Sequence, residues 1–142
     1  MRKRATAVII RNEEVLLIRR TKAGREYYIF PGGGVEEGET IEDAVKREVK
    51  EETTIEVDSM HKLFFLKVGI PQLDVSKEKY EHEEHVYFVE KYSGSPELSG
   101  PEKERASEQN QYHLEWKPVS ELDNMVTLYP REVAKMVVPF LK

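Results

Sequence analysis

With 142 residues and 22 Lys+Arg against 27 Asp+Glu, the chain has the length of one domain and a net charge of −5, the wrong sign for bulk electrostatic binding to nucleic acid. Hydrophobic residues make up 39% and charged residues 35%, which implies a buried interior beneath a densely ionic surface. The lack of cysteine excludes disulfides, thiolate nucleophiles and cysteine-based zinc sites, so any metal must rest on oxygen or imidazole.

We expect a single domain over residues 1–142. Residues 6–10 and 15–20 are aliphatic and β-branched runs around Arg11-Asn12-Glu13-Glu14, which predicts an opening hairpin. The first run is too short to act as a signal-peptide core behind Arg2-Lys3-Arg4. Residues 136–141 are too few to span a membrane and contain Pro139, so the expectation is a cytoplasmic chain with no membrane partner. A short strand at 27–30 is stopped by Pro31 and Gly32-Gly33-Gly34, which predict a loop. Thr40 is a hydroxyl N-cap with Asp43 three residues on, and the helical pattern runs to about residue 52. Strands follow at 55–57, 63–68, 85–92 and 113–119, with a polar loop over 93–111. Pro130 suits the first turn of a closing helix, whose apolar positions Val133, Met136, Val137 and Phe140 recur at helical spacing.

The helix from Thr40 breaks the amphipathic rule. At about 100° per residue, Ala44, Val45, Glu48 and Glu52 all fall within about 60° of Ile41. Glu42, Asp43, Lys46, Arg47 and Lys50 fill the opposite, solvated arc, and Glu51 sits at the border. Carboxylates spaced i,i+3 and i,i+4 stand roughly 6 Å apart, which at an effective dielectric near 20 gives roughly 3 kcal/mol of repulsion per pair. Protonation or a cation must relieve that cost. All-oxygen ligation suits Mg²⁺ or Mn²⁺, and Mg²⁺ recruits substrate phosphates as further ligands. The glycines let bare backbone approach a metal or phosphate. Arg19, Arg20, Lys22 and Arg25 form a cationic cluster nearby in sequence, which either holds phosphate oxygens or is a solvated strand end.

Gly33, Glu39, Arg47, Glu48, Val49, Glu51, Glu52 and Ile55 together resemble the Nudix box, the 23-residue signature of the Nudix hydrolases, and meet eight of its nine constrained positions. The exception is Thr54, where the family has glycine; threonine is ill suited to a left-handed turn, so the exit from the helix is expected to differ. Upstream Tyr28-Ile29-Phe30-Pro31-Gly32 and downstream Leu114 to Val119 with Glu121-Leu122 extend the resemblance over nearly the whole chain.

The resemblance implies an α/β fold, an α/β/α sandwich with a mixed β-sheet, and cleavage of a nucleoside diphosphate linked to another group. It implies metal binding by Glu48, Glu51 and Glu52 with the Gly32 carbonyl, while Gly33, Glu39 and Arg47 hold the loop and helix together. The implied cofactor is Mg²⁺ or Mn²⁺ and the implied partner a small-molecule nucleotide, with a homodimer compatible with the family. Water attacks one phosphorus in line as the other phosphate leaves. Glu51 is the first choice for the general base; Glu97, Glu102, Glu104 and Glu108 on the later loop are the alternatives.

The same fold can serve as a ligand-sensing or protein-binding module, against which the intact Glu48, Glu51 and Glu52 count. RNA 5′-end hydrolysis is disfavoured by the net charge and the lack of a basic stripe. His82-Glu83-Glu84-His85 lacks the i,i+4 histidine spacing of a helical zinc motif, and His61 and His113 stand alone. Tyr28, Tyr80, Tyr87, Phe88, Tyr92 and Trp116 are expected to be mostly packing residues.

Overall fold

The computed structural model describes residues 2–69, 81–96 and 110–141. The first two strands carry unbroken buried runs, because each has neighbours on both edges and cover on both faces. They are β1 (Arg2–Arg11), buried from Ala5 to Ile9, and β2 (Glu14–Lys22), buried from Val15 to Ile18. They form the predicted hairpin, whose turn residues Asn12 and Glu13 take positive φ.

The remaining strands are β3 (Arg25–Ile29), β4 (Gly32–Gly34), β5 (Glu56–Gly69), β6 (Glu81–Ser93), β7 (Asn110–Pro118) and β8 (Leu128–Tyr129). β1 pairs in parallel with β6, which pairs antiparallel with β5. β2 lies antiparallel between β3 and β7, and β8 joins β3 in parallel. The sheet is therefore mixed, as expected. Helix α1 (Ile41–Thr53) packs Ala44, Val45 and Val49 against Ala5, Ala7 and Ile9 on one face. Helix α2 (Arg131–Leu141) packs Val133 and Val137 in the cluster that holds Val8 and Leu17. Two cores on opposite sides of the strands make the α/β/α sandwich.

Three local expectations are corrected, and one short strand is added. The triple glycine is a strand, not a loop: without side chains it lies flat against β1, in register Arg4↔Gly34, Ala5↔Gly33 and Thr6↔Gly32. The predicted strands 55–57 and 63–68 are one long strand, because β-bulges between Val57 and Phe64 shift the register and let a polar stretch pass along an edge. β8 is too short to show a period, and tertiary pairing with β3 alone makes it a strand. Pro130 precedes the closing helix, its carbonyl accepting from the Ala134 N–H at 3.0 Å, and the buried stripe includes Ala134 and Val138 while Met136 and Phe140 are exposed. Phe140 instead stacks on Phe64, centroids 5.6 Å apart. Among the described residues no helix is long and apolar enough to cross a membrane.

Candidate functional site

Packing sets the orientation of α1. Thr40 caps it, its hydroxyl accepting from the Asp43 N–H at 3.1 Å, and burial of Ala44, Val45 and Val49 turns the neighbouring carboxylates toward β4. Glu52 is 3% exposed and its Oε1 accepts from the Gly32 N–H at 2.8 Å. Glu48 lies flat on Gly33; a Cβ there would stand 2.5 Å from both of its carboxylate oxygens. Only glycine lets this carboxylate approach the strand.

Arg47 corrects the helical-wheel reading that put it on the solvated arc. Its long side chain folds back over β4 and spans four groups at once. Nε donates to Glu39 Oε2 at 2.8 Å, Nη2 to Glu39 Oε1 and the Gly34 carbonyl at 3.0 Å, and Nη1 to Glu48 Oε1 at 2.7 Å and Glu51 Oε2 at 3.4 Å. The hydrogen bonds from Arg47, helped by the Glu36 backbone N–H, hold the Glu39 carboxyl down to about 2. In return Glu39 first, and Glu48 after it, push the Arg47 guanidinium higher still. Part of the repulsion among the helix carboxylates is thus met by an internal cation, which the sequence reading left to a metal.

Thr54 also departs from expectation. It takes the left-handed conformation a glycine would, φ 66° and ψ −1°, and its N–H closes the helix on the Lys50 carbonyl at 3.0 Å. Its hydroxyl donates to the Ser95 carbonyl at 3.0 Å, a bond glycine lacks, so the helix exit keeps the glycine geometry.

The carboxylates offer hard oxygen donors within one helical turn, beside a glycine strand that a ligand can reach, and in chemistry they fit a hard divalent cation. No three of the described His, Asp or Glu side chains are gathered into a ready-made cage, and Arg47 engages Glu48. Binding an ion there calls for side-chain rotation and a share of Glu48 released by Arg47.

A family model for the NUDIX domain matches residues 1–137. The chain belongs to the Nudix family. It is 42% identical over 69 residues to the oxidized purine nucleoside triphosphate hydrolase of Mus musculus, an alignment covering 46% of this chain and 38% of that protein. The chain spans only 16% to 38% of the length of the curated relatives it matches. Among solved structures it is similar to a MutT protein from Bacillus halodurans, with 24% identity, TM-score 0.74, and 97% of this chain and 82% of that one covered. A MutT NUDIX hydrolase from Burkholderia pseudomallei gives 23% identity and TM-score 0.68, covering 97% and 95%. These likenesses establish the Nudix fold.

The structure brings Gly33, Glu39, Arg47, Glu48 and Glu52 of the Nudix box, with Gly32 just before it, into one contact set, with the Glu51 side chain 43% exposed at its rim. The cationic cluster is dispersed. Lys22 and Arg25 form an exposed register pair at the far end of the β2–β3 hairpin, and Arg19 alternates to the opposite face from Arg20. Arg20 lines a cavity of about 280 Å³ together with Thr6, whose register partner is Gly32. Arg4, His82 and Glu84 line it too, and the sequence reading passed them over as site residues. The available signal was a carboxylate at Glu84 in phase with apolar Val86 and Phe88. His82 and His85 each pair with a nearby glutamate, Glu84 at 2.9 Å and Glu83 at 3.0 Å, and being i,i+3 on a strand they face opposite ways. Tyr80 and the loop carboxylates Glu97, Glu102, Glu104 and Glu108 lie outside the described residues.

Proposed function

We propose that this chain hydrolyses the diphosphate linkage of a nucleoside di- or triphosphate derivative, in a reaction assisted by Mg²⁺ or Mn²⁺. The observation that carries the reading is a buried Glu52 tied to the Gly32 amide beside a Glu48 laid on Gly33. Carboxylates and bare backbone converge where a phosphate chain can lie. Glu48, Glu51, Glu52 and the Gly32 carbonyl would hold the cation. A bound divalent cation supplies charge neutralisation for the phosphates and lowers the pKa of water.

The chain's own groups do the rest. Arg47 orients Glu48 and Glu51 from behind and ties α1 to Gly34. Glu51, the most exposed of the three, would accept the proton of the attacking water; its exposure supports that role. The water oxygen bonds to one phosphorus, the bridging P–O bond breaks, and the leaving phosphate keeps the electron pair. The products are a nucleoside monophosphate and a phosphorylated remainder, or pyrophosphate from a triphosphate. Arg20 is the cationic residue of the predicted cluster that lies next to the glycine strand and supports phosphate binding there.

The mouse relative's name makes oxidised purine nucleoside triphosphates the first compounds to assay. A panel extending to sugar- and nucleotide-linked diphosphates, with Mg²⁺ and Mn²⁺, tests the reading by phosphate release. Turnover that falls by orders of magnitude in Glu52→Gln at unchanged melting temperature supports it. No turnover on any compound overturns it in favour of a ligand-sensing module.

A further inference from the structure

The glycine strand β4 separates two faces without side chains of its own. Ala5 is fully buried toward α1, so by alternation Arg4 and Thr6 point to the other face, into the cavity of about 280 Å³. Arg4 sits in register with Gly34 and Thr6 with Gly32, and directly opposed Cα atoms of antiparallel strands are about 4.5–5.5 Å apart. A molecule draped over this bare edge meets the carboxylates of α1 on one side and the cavity on the other.

At the base of the cavity lies Glu84, 1% exposed. Its Oε1 forms an ion pair with Arg4 Nε at 3.0 Å and shares a hydrogen bond with His82 Nε2 at 2.9 Å; its Oε2 accepts from the Thr6 hydroxyl at 2.5 Å. A buried carboxylate survives only when paired and hydrogen-bonded; here His82 and Thr6 fix the Glu84 carboxylate, and the fixed carboxylate in turn anchors the Arg4 guanidinium by its Nε edge. Arg4 is 32% exposed, and its terminal amino groups make no hydrogen bond within the described residues. Beside it, Arg20 lies over the Tyr112 ring at 4.8 Å, and among the described residues its buried Nε–H has no partner. Glu84 neutralises one of these guanidiniums; among the described residues no carboxylate neutralises the other. Two guanidiniums with unspent donors and one countercharge suit a phosphate, to which arginine donates in a planar fork.

We propose that Arg4 binds a phosphate of the substrate on the cavity side of the glycine strand, and that the buried Glu84 is the positioning residue that aims it. The proposal rests on the nucleotide reading given above, and binding without turnover tests it separately. Affinities of the full chain for nucleoside 5′-monophosphates and the matching nucleosides, four bases each, are measured by calorimetry. The ratio of the two affinities reports phosphate recognition and is blind to a general loss of folding.

Arg4→Met should lower that ratio by roughly tenfold to a hundredfold, the loss expected for a hydrogen bond to a charged group. Arg4→Lys should recover part of it. Glu84→Gln should lower the ratio by a smaller factor, and should add nothing in the Arg4→Met background, because it acts only through Arg4. An unchanged ratio in Arg4→Met, independent losses in the double variant, or a parent that binds monophosphate no better than nucleoside each overturn the proposal. Should Arg4→Met fail to fold, the Arg4→Lys and Glu84→Gln ratios decide it. If the monophosphate preference depends on Arg4 while no diphosphate is ever hydrolysed, the hydrolase reading fails and the Arg4 assignment stands.

Discussion

Replacing the glycines of β4 one at a time separates chemistry from folding. In Gly33→Ala the three atoms nearest the new methyl group all belong to the end of the Glu48 side chain, with each oxygen at 2.5 Å, where ordinary contact begins at 3.4 Å. The carboxylate must retreat by about 0.9 Å, and a misplacement near 1 Å in a reacting constellation costs on the order of 10²-fold in rate. Folding loses little, because a side-chain end yields by turning off its rotamer at about 1 kcal/mol. Gly32→Ala differs: there the methyl collides with the Ala5 carbonyl, a backbone atom in the β1–β4 ladder, and overpacking of that kind costs about 1–3 kcal/mol. Gly34→Ala meets only the Arg2 side chain, its nearest nitrogen at 3.4 Å, and should behave like the parent. Phosphate-release kinetics and thermal melts on the three variants give the comparison. A Gly33→Ala chain that melts and turns over like the parent would refute the claim that the Glu48 position matters to the reaction.

Other expectations follow from single contacts. Glu39 has its carboxyl lowered from 4.5 to about 2 in the fold, so its stabilising effect is present above pH 4.5 and fades as pH falls toward 2. The melting-temperature gap between parent and Glu39→Gln should close over that window; a gap that widens on acidification contradicts the pairing with Arg47. Thr54→Gly relieves about 1 kcal/mol of left-handed strain but gives up a hydrogen bond of similar size, so stability should shift by less than about 1 kcal/mol. Thr54→Val keeps the strain and loses the Ser95 bond, and denaturant melts should find it less stable by about 1 kcal/mol. Tyr87→Phe removes the 2.5 Å bond that lowers the Glu42 carboxyl, so NMR titration should find Glu42 shifted upward.

The Nudix box was legible because its spacing is local. A helix repeats every 3.6 residues, so Glu48, Glu51 and Glu52 share a flank whatever surrounds them, and the N-cap at Thr40 needs only its own chain. Thr54 was misjudged because propensity weighs the strain of a left-handed threonine and cannot weigh a hydroxyl bond to Ser95, 41 residues away. The basic residues do not form the single cluster their spacing suggests, for a similar reason. Sequence proximity grouped Arg19, Arg20, Lys22 and Arg25, whereas strand alternation and a hairpin tip scatter them over two faces and an exposed end.

The sequence by itself determined the hairpin, the capped helix, the carboxylate flank and the family, all of them carried by residues a few positions apart. Only the tertiary structure decided that three glycines form a strand, that Arg47 folds back to neutralise the carboxylates, and that Arg4 meets Glu84. Those contacts join residues up to 80 positions apart. Which distant strands align, and in what register, depends on the burial of both faces at once, and no local pattern contains that information.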